Sequence, residues 1–343
     1  MAAPTGHTHW PDPEDVSPDQ IRNFPPADTL SNADMKEAEL SPHKQSHSRE
    51  TGSADVVGFY DDDTGSIQYL VSDPQTGKGA LIDAVMGFDP AHASIDPQGV
   101  SKIIEYARDS NIDISWILDT HPHADHLMAS WYLKQRLGAV NAIGEKVRDI
   151  AELWRKLYHL PDAFRPAQDF DRLFSDGETF RIGKLPVRVM LTPGHTLGSV
   201  TYVVGSDAAF ANDTFMQPDA GTARADFPGG SAGELYDSLQ SILALDDETR
   251  LFVGHDYGSD SRTEPAWEST VAEQRASNVH LGGGTSKEDY IKQRDARDKT
   301  LALPDRMLHV LQMNLRAGRA PEPESDGKRY LKIPLNRFPK ETP

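Results

Sequence analysis

The chain of 343 residues carries a formal net charge of −18 and contains no cysteine. The negative charge argues against a nucleic-acid-binding surface and against attraction to anionic membranes, and no apolar run is long enough to span a bilayer. The lack of cysteine excludes disulfides, thiolate metal ligands and a cysteine nucleophile, so any metal must be held by His, Asp or Glu. With no apolar leader at the N-terminus, we expect a cytoplasmic protein without membrane or nucleic-acid partners.

The two ends of the chain differ in composition from its middle. Residues 1–50 are rich in Pro, Ser, Asp and His without a sustained hydrophobic period, which predicts a flexible tail. We expect the tail histidines His7, His9, His43 and His47 to be solvated. A catalytic domain is predicted over 51–262, and a helical C-terminal extension with its tail over 263–343.

The first part of the predicted domain alternates β-prone runs with turns. Strands are predicted at 56–60, 68–71 and 79–83, a helix at 99–108 and a further strand at 115–119. Asp83 ends its strand, where it either supports the site that follows or is an ordinary turn residue.

A histidine cluster follows directly after the strand at 115–119. The stretch Thr-His-Pro-His-Ala-Asp-His places His121, His123, Asp125 and His126 within six positions, ahead of a helix predicted at 127–137. Strand ends are where α/β folds usually carry their chemistry. Imidazole and carboxylate together suit zinc, iron or manganese, so this stretch predicts a metal site.

Three further stretches place a histidine or an aspartate just past a β-run. His195 lies in Pro-Gly-His-Thr-Leu-Gly, Asp213 follows a predicted strand at 208–211, and His255 follows one at 251–253. If these strands share a sheet edge, their side chains converge with the first cluster. The remaining elements are predicted as follows: helix 144–160, loop 166–174, strands 179–182, 187–191 and 200–204, and a helical region 262–315 with its best segments at 288–303 and 304–315.

The order of these motifs resembles the metallo-β-lactamase superfamily. Its signature is His-x-His-x-Asp-His, then Gly-His-Thr, a strand-ending Asp and a final His, and the resemblance covers roughly residues 55–260. It implies an α+β fold, an αββα sandwich with metals at one edge between two sheets, here with a helical C-terminal extension. It also implies a metal-dependent enzyme with a small-molecule substrate.

Two branches of the superfamily fit. Persulfide dioxygenases convert glutathione persulfide and O2 to sulfite and glutathione with one iron, whereas glyoxalase II-like hydrolases cleave thioesters with two metals. Ala124, the Arg-x-Asp-Phe stretch at 224–227, Leu-Tyr-x-Ser at 235–238 and His-Asp-Tyr at 255–257 resemble the dioxygenases. The chain departs from relatives at Asn212, where glycine is usual, at Ala225, where many carry cysteine, and in a longer loop at 216–221.

The dioxygenase resemblance implies one iron bound by His121, His195 and Asp213. His123, Asp125, His126 and His255 would then orient these ligands and tune the metal. Asp125, Arg224 and Tyr236 are the expected catalytic residues, the latter two holding or orienting a glutathione-linked thiol derivative. For Arg224 an ion pair with a nearby aspartate, and for Tyr236 simple packing within a helix, are the competing interpretations.

The hydrolase resemblance implies two zinc ions and the same residues. His121, His123 and His195 would bind the first ion, Asp125, His126 and His255 the second, with Asp213 bridging them, and a metal-activated water would attack a thioester, ester or lactone. All seven residues occur in both branches, so the ligand set cannot discriminate, and the surrounding motifs favour the dioxygenase. A non-catalytic metal-binding or interaction protein would be favoured by a lost ligand, and none is lost; a homodimer is compatible with either branch.

Overall fold

The computed structural model describes residues 40–259 and 262–338. Its strands are, in chain order, β1 (His43–Ser46), β2 (Asp55–Tyr60), β3 (Ile67–Ser72), β4 (Lys78–Ile82), β5 (Val85–Asp89), β6 (Ser94–Asp96), β7 (Asp113–Leu118), β8 (Leu127–Met128), β9 (Val140–Gly144), β10 (Arg172–Phe174), β11 (Thr179–Ile182), β12 (Leu185–Leu191), β13 (Val200–Val204), β14 (Ala208–Asn212), β15 (Arg250–Val253) and β16 (Glu268–Thr270). Its helices are α1 (Gln98–Asp109), α2 (Ser130–Leu137), α3 (Val147–Tyr158), α4 (Pro166–Asp169), α5 (Ala232–Leu243), α6 (Val271–Ser277), α7 (Lys287–Asp298) and α8 (Met307–Asn314).

Two large sheets form the centre of the fold. The first has seven strands in the order β1-β2-β3-β4-β7-β9-β10, and the second has six in the order β11 to β16. A small third sheet joins β6, β5 and β8. Within the described residues, no helix is both long and apolar enough to cross a membrane.

Neighbouring residues on the strands of the first sheet face opposite layers, because side chains alternate along a strand. Val71 and Ile82 belong to the core shared with the second sheet, whereas Leu70 and Leu81 pack with α1, α2 and α8. Leu239 of α5, with residues of α6 and α7, packs on the second sheet. The layers are therefore helix, sheet, sheet and helix, and the predicted αββα fold class is confirmed.

Parallel pairs place several strand ends at the same edge of this sandwich. β4, β7 and β9 run parallel through crossovers that contain α1 and α2. β14 and β15 run parallel through a crossover that contains α5. Since parallel strands end on the same side, the loops after β7, β14 and β15 meet at one edge.

Several sequence-based predictions of local structure need correction. The predicted loop 166–174 contains α4 and β10, and the predicted helical region 262–315 contains β16, which pairs with β15. The predicted helix at 127–137 begins with a short strand, β8, before α2 starts. The predicted helix at 144–160 starts on the last residue of β9, and α3 covers Val147–Tyr158. The best C-terminal helix ends at Asp298 rather than at 303.

The predicted domain boundaries remain a prediction, but the described sheet starts before residue 51. β1 pairs with β2 in antiparallel register, and the His43 ring stacks on Phe59. Residues 1–39, with His7 and His9, lie outside the described part of the chain. At the other end, Trp267 and Val271 beside β16 and residues of α8 belong to the core, so the described part of the predicted extension packs on the domain.

Candidate metal centre

The structure brings all of the predicted metal ligands to the edge where the two sheets meet. His121, His123, Asp125 and His126 lie on the loop after β7, His195 lies between β12 and β13, Asp213 follows β14, and His255 follows β15. Close polar contacts connect six of the seven, from His195 and His121 to Asp213, to His255 and then to Asp125 and His126. The ring of His123 lies beside those of His121 and His126, with centroids 4.1 and 4.0 Å apart.

His121 and His195 both approach Asp213, while the ligand atoms of His121, His123 and Asp213 lie within 4.8 Å of one another. The Nε2 atoms of His121 and His195 lie 3.5 and 3.4 Å from the same oxygen of Asp213, Oδ2. The two rings are close to perpendicular, with centroids 5.0 Å apart. Two imidazole nitrogens and one carboxylate oxygen on one face are a donor set that suits iron and leaves positions open.

Hydrogen bonds hold these two histidines with their Nε2 lone pairs toward Asp213. His195 donates Nδ1–H to the carbonyl oxygen of Arg224 at 2.8 Å. Nδ1 of His121 lies 3.1 Å from the hydroxyl of Thr120, which itself donates to Asp83 at 3.0 Å. Fixing the proton on Nδ1 leaves Nε2 free to bind a metal.

His123 and His126 also present unused ring nitrogens. His123 donates Nε2–H to Asp83 at 3.0 Å, and Nδ1 of the same ring is buried without a partner. Nδ1 of His126 lies 3.0 Å from the hydroxyl of Ser66, and its Nε2 is buried without a partner. A buried nitrogen without a hydrogen bond is costly unless a metal fills the gap, so these residues fit a bound ion.

The electrostatics divide the histidines into two kinds. Burial, with a further effect of neighbouring His123, lowers the pKa of His121 well below its usual value, and burial likewise lowers that of His123. Burial alone would lower the pKa of His255, but Asp125 and then Asp213 raise it well above the usual range. Burial therefore favours the neutral form of His121 and His123, which is the form that binds a metal, whereas the two carboxylates favour the charged form of His255.

Asp83 accepts hydrogen bonds from several groups around the centre. This is the supporting role, one of the two roles that the sequence allowed for it. Besides His123, it accepts from the backbone N–H of Thr120 at 2.8 Å and from the side-chain amide of Asn212. Asn212 has a positive φ of 42°, and its Oδ1 accepts from the backbone N–H of Asp213 at 2.6 Å. Asparagine tolerates this backbone conformation, which explains how the departure from glycine leaves the turn intact.

Two supporting residues gave no signal in the sequence. Asn314 of α8 donates its side-chain amide to the carbonyl oxygens of His123 and His126 at 2.7 and 2.8 Å. Gly254 lies so close to Asp213 that a Cβ there would stand 2.5 Å from its Oδ1. A lone asparagine in a helix, or a glycine after a strand, is too common to be singled out without the fold.

A cavity of about 750 Å³ opens onto the centre and is lined by Asp125, His195, Asp213 and His255. Arg224 also lines it, but its guanidinium pairs with Asp226 at 2.6 Å and donates to the carbonyl of Ala302. This is the ion pair that competed with substrate binding as an interpretation of Arg224. Arg224 contributes to the metal centre through its backbone carbonyl oxygen, which accepts a hydrogen bond from Nδ1 of His195.

The structure gives Tyr236 a role other than the predicted substrate contact. Its hydroxyl donates to the carbonyl oxygen of Thr285 at 3.0 Å, and its ring packs against Tyr290. It is not among the residues that line the cavity within the described part of the chain. The Tyr236 side chain is half-buried between α5 and the start of α7, so the competing interpretation of a packed helix tyrosine fits better.

The metallo-β-lactamase superfamily model matches residues 61–255 of the chain. The chain is 52% identical over 281 residues to a "Beta-lactamase hydrolase-like protein" of Agrobacterium fabrum, covering 82% of this chain and 64% of that protein. It is 39% identical over 288 residues to "Glyoxylase B2" of Dictyostelium discoideum, covering 83% of this chain and 98% of that protein.

Among solved structures, ETHE1 from Myxococcus xanthus superposes with a TM-score of 0.61 at 26% identity, covering 76% of this chain and 98% of that one. The family model spans the whole metal centre, from the turn before β3 to His255. The chain therefore belongs to the metallo-β-lactamase superfamily, whose members are metalloenzymes.

Proposed function

We propose that the protein is a persulfide dioxygenase with a single iron, acting on glutathione persulfide. The observation that carries the proposal is the convergence of His121 and His195 on one oxygen of Asp213, at 3.5 and 3.4 Å. When bound there, iron supplies the open positions at which O2 and a sulfur substrate can react. The net reaction takes glutathione persulfide, O2 and water to glutathione, sulfite and two protons; the outer sulfur is oxidised and O2 is reduced.

The contacts of His255 fit a residue that orients the ligand Asp213, the role that the single-iron proposal gives it. Its Nδ1 lies 2.5 Å from Asp213, and its Nε2 lies 2.5 Å from Asp125 and 2.9 Å from the hydroxyl of Ser66. Both ring nitrogens are thus engaged with oxygen atoms, and the carboxylates raise its pKa well above the usual range against the effect of burial. The imidazole of His255 holds Asp213 in orientation through Oδ1, the oxygen opposite the one that His121 and His195 approach.

The cavity supports a small-molecule substrate. Its lining includes apolar and polar groups around the metal ligands, among them Ala124, Met216, Phe227 and Tyr257. The Tyr257 ring stacks on His255 with centroids 5.6 Å apart, while most of its side chain remains exposed, at 68%. Tyr257 can therefore cover the metal ligands without closing the entrance to a peptide-sized thiol. The likeness to ETHE1 and to glyoxylase B2 agrees with a glutathione-linked substrate in either branch.

A two-metal hydrolase is the second candidate, and one observation favours it. His123, Asp125 and His126 have ligand atoms within 4.8 Å of one another, and Nδ1 of His123 and Nε2 of His126 are buried without partners. In the hydrolase alternative, Nδ1 of His123 would bind the first ion, and Nε2 of His126 would bind the second together with Asp125 and His255. The residues that line the cavity would then position a thioester carbonyl beside the metal ligands and exclude bulk water.

The test is a comparison of two reactions by one preparation. Protein reconstituted with ferrous iron should consume O2 and release sulfite with glutathione persulfide, and should hydrolyse lactoylglutathione slowly or not at all. The same protein loaded with zinc serves as the control and should consume no O2. Rapid thioester cleavage by the zinc form, without O2 consumption by the iron form, would support the hydrolase and refute the dioxygenase.

A further inference from the structure

The lining of the cavity includes four arginines besides the metal ligands, and most of their charge is already paired. Among the described residues, three of the four arginines of the lining form ion pairs: Arg224 with Asp226, Arg294 with Asp298, and Arg306 with Asp63. Arg297 of α7 is exposed, and its guanidinium makes no hydrogen bond or ion pair with any described residue. It is therefore available to a ligand.

His280 stands beside Arg297 and presents a defined donor. The backbone N–H of Thr222 donates to its Nδ1 at 3.0 Å, so the ring proton must lie on Nε2. The ring is 8% exposed, lines the cavity and shares with Arg297 a small recess in its wall. Burial, followed by the charges of Arg294 and Arg297, lowers the pKa of His280 to about 4, so it is neutral near pH 7.

The Nε2–H group of His280 lacks a partner among the described residues, although the fold fixes its tautomer. The backbone of Gly221 contacts the opposite side of the ring so closely that a Cβ there would stand 2.2 Å from Nδ1. Such a rigidly held donor next to an unpaired guanidinium is the arrangement that binds a carboxylate, because Arg offers a planar fork and the imidazole adds an oriented N–H.

We propose that His280 and Arg297 bind a carboxylate of the substrate and thereby select a peptide acid over a neutral thiol derivative. The proposal rests on the glutathione-linked substrate of the proposed function, but it does not depend on whether the enzyme oxidises or hydrolyses that substrate. Neither residue is a candidate metal ligand, and both follow the matched region 61–255 in the sequence. The pair would therefore select the substrate without taking part in the reaction at the metal.

The test measures binding without turnover, by calorimetry of the metal-loaded full chain with S-methylglutathione and with its diethyl ester. Arg297→Gln and His280→Asn should each weaken binding of the acid about tenfold, the magnitude expected for one charge-assisted hydrogen bond, and leave binding of the ester unchanged. Asn retains an acceptor for the Thr222 N–H, so His280→Asn tests the lost donor rather than the fold. Arg297→Lys should recover part of the affinity.

Lys292→Gln is the matched control, because Lys292 lies exposed on the same helix but does not line the cavity. It should bind both ligands like the wild type. Equal losses for acid and ester, wild-type affinities in both variants, or no binding of S-methylglutathione by the wild type would each refute the proposal. Failure of the dioxygenase proposal alone would instead appear as absent O2 consumption with the acid-selective binding intact.

Discussion

At the scale of single residues, the metal centre depends on tautomers set by neighbours. Four histidines each have one ring nitrogen occupied by an oxygen atom: His121 by Thr120, His123 by Asp83, His126 by Ser66 and His195 by Arg224. Such partners orient the ligands and raise their basicity. The motif spacing predicts which histidines converge, but the partners are scattered over the chain, so the sequence alone does not reveal them.

Asn212 offers the sharpest test at this scale. Its φ of 42° is strained for a β-branched residue, and its side chain contacts both Asp213 and Asp83. Asn212→Val should lower both the melting temperature and the metal content, whereas Asn212→Gly should retain most of both. The measurements are thermal unfolding and metal analysis after dialysis.

Asn111 supplies the control for Asn212, because it has a similar φ of 56° in an exposed turn away from the centre. Asn111→Val should lower the melting temperature while leaving the metal content unchanged. If Asn212→Val matched the wild type in both measurements, the backbone of this turn would not matter to the centre.

At the scale of elements, β1 is attached to the second sheet by a buried arginine. Arg250 of β15 is fully buried and pairs with Asp207 at 3.0 and 3.1 Å. Its guanidinium also donates to Ser46 at the end of β1 and to the carbonyl oxygen of Ala54 just before β2. One side chain thus joins the edge of the first sheet to the second.

Arg250→Met should lower the free energy of unfolding by about 3–5 kcal/mol, because it leaves the carboxylate of Asp207 without its partner. Urea denaturation of the variant against the wild type measures this. The double variant Arg250→Met with Asp207→Leu should recover much of the loss, since neither charge is then left alone. A loss in the double variant as large as the sum of the single losses would contradict the pairing.

Prediction of elements from the sequence succeeded where hydrophobic runs are long and failed where strands are short. β2, β3 and β14 were predicted within one or two residues, because their buried runs are bounded by turn residues. β8 has only two residues and β16 three, too few for a period to show. Their pairing with β5 and β15 is a tertiary effect that no local pattern contains.

Helix α8 supports the metal centre, because Asn314 donates to the carbonyl oxygens of His123 and His126 in the loop after β7. Asn314→Leu should lower metal affinity by about 10- to 100-fold, as for other groups that orient ligands, with α8 still packed. Gln312→Leu is the control. It removes a buried side-chain amide of the same helix that bonds to the backbone of Leu308 and Lys332 and not to the loop after β7. The affinity is measured by competition with a chelator, and equal effects of the two variants would contradict a specific role for Asn314.

At the scale of the whole molecule, the candidate metal ligands and part of the cavity lining come from different parts of the chain. The region that matches the family model, 61–255, contains every predicted metal ligand. His280, Arg297 and Asn314 lie beyond it, yet they line the cavity or hold the histidine loop. The sequence motifs therefore identify the candidate metal ligands, whereas His280, Arg297 and Asn314 belong to no motif that the sequence reveals. The match covers 64% of the length of the Agrobacterium relative. The activity of that longer protein as a whole is therefore not transferred to this chain.

The stoichiometry of bound metal tests the central claim most directly, measured on protein purified without added metal and on His126→Ala and His255→Ala. The proposed single-iron centre predicts about one iron per chain in the wild type as purified, and about one in all three proteins after saturation with ferrous iron. In the variants, metal affinity or O2 consumption with glutathione persulfide should fall by about 10- to 100-fold, because each replacement removes a group that orients the ligands. Two zinc ions per chain in the wild type, falling to one in each variant together with loss of thioester hydrolysis, would contradict it.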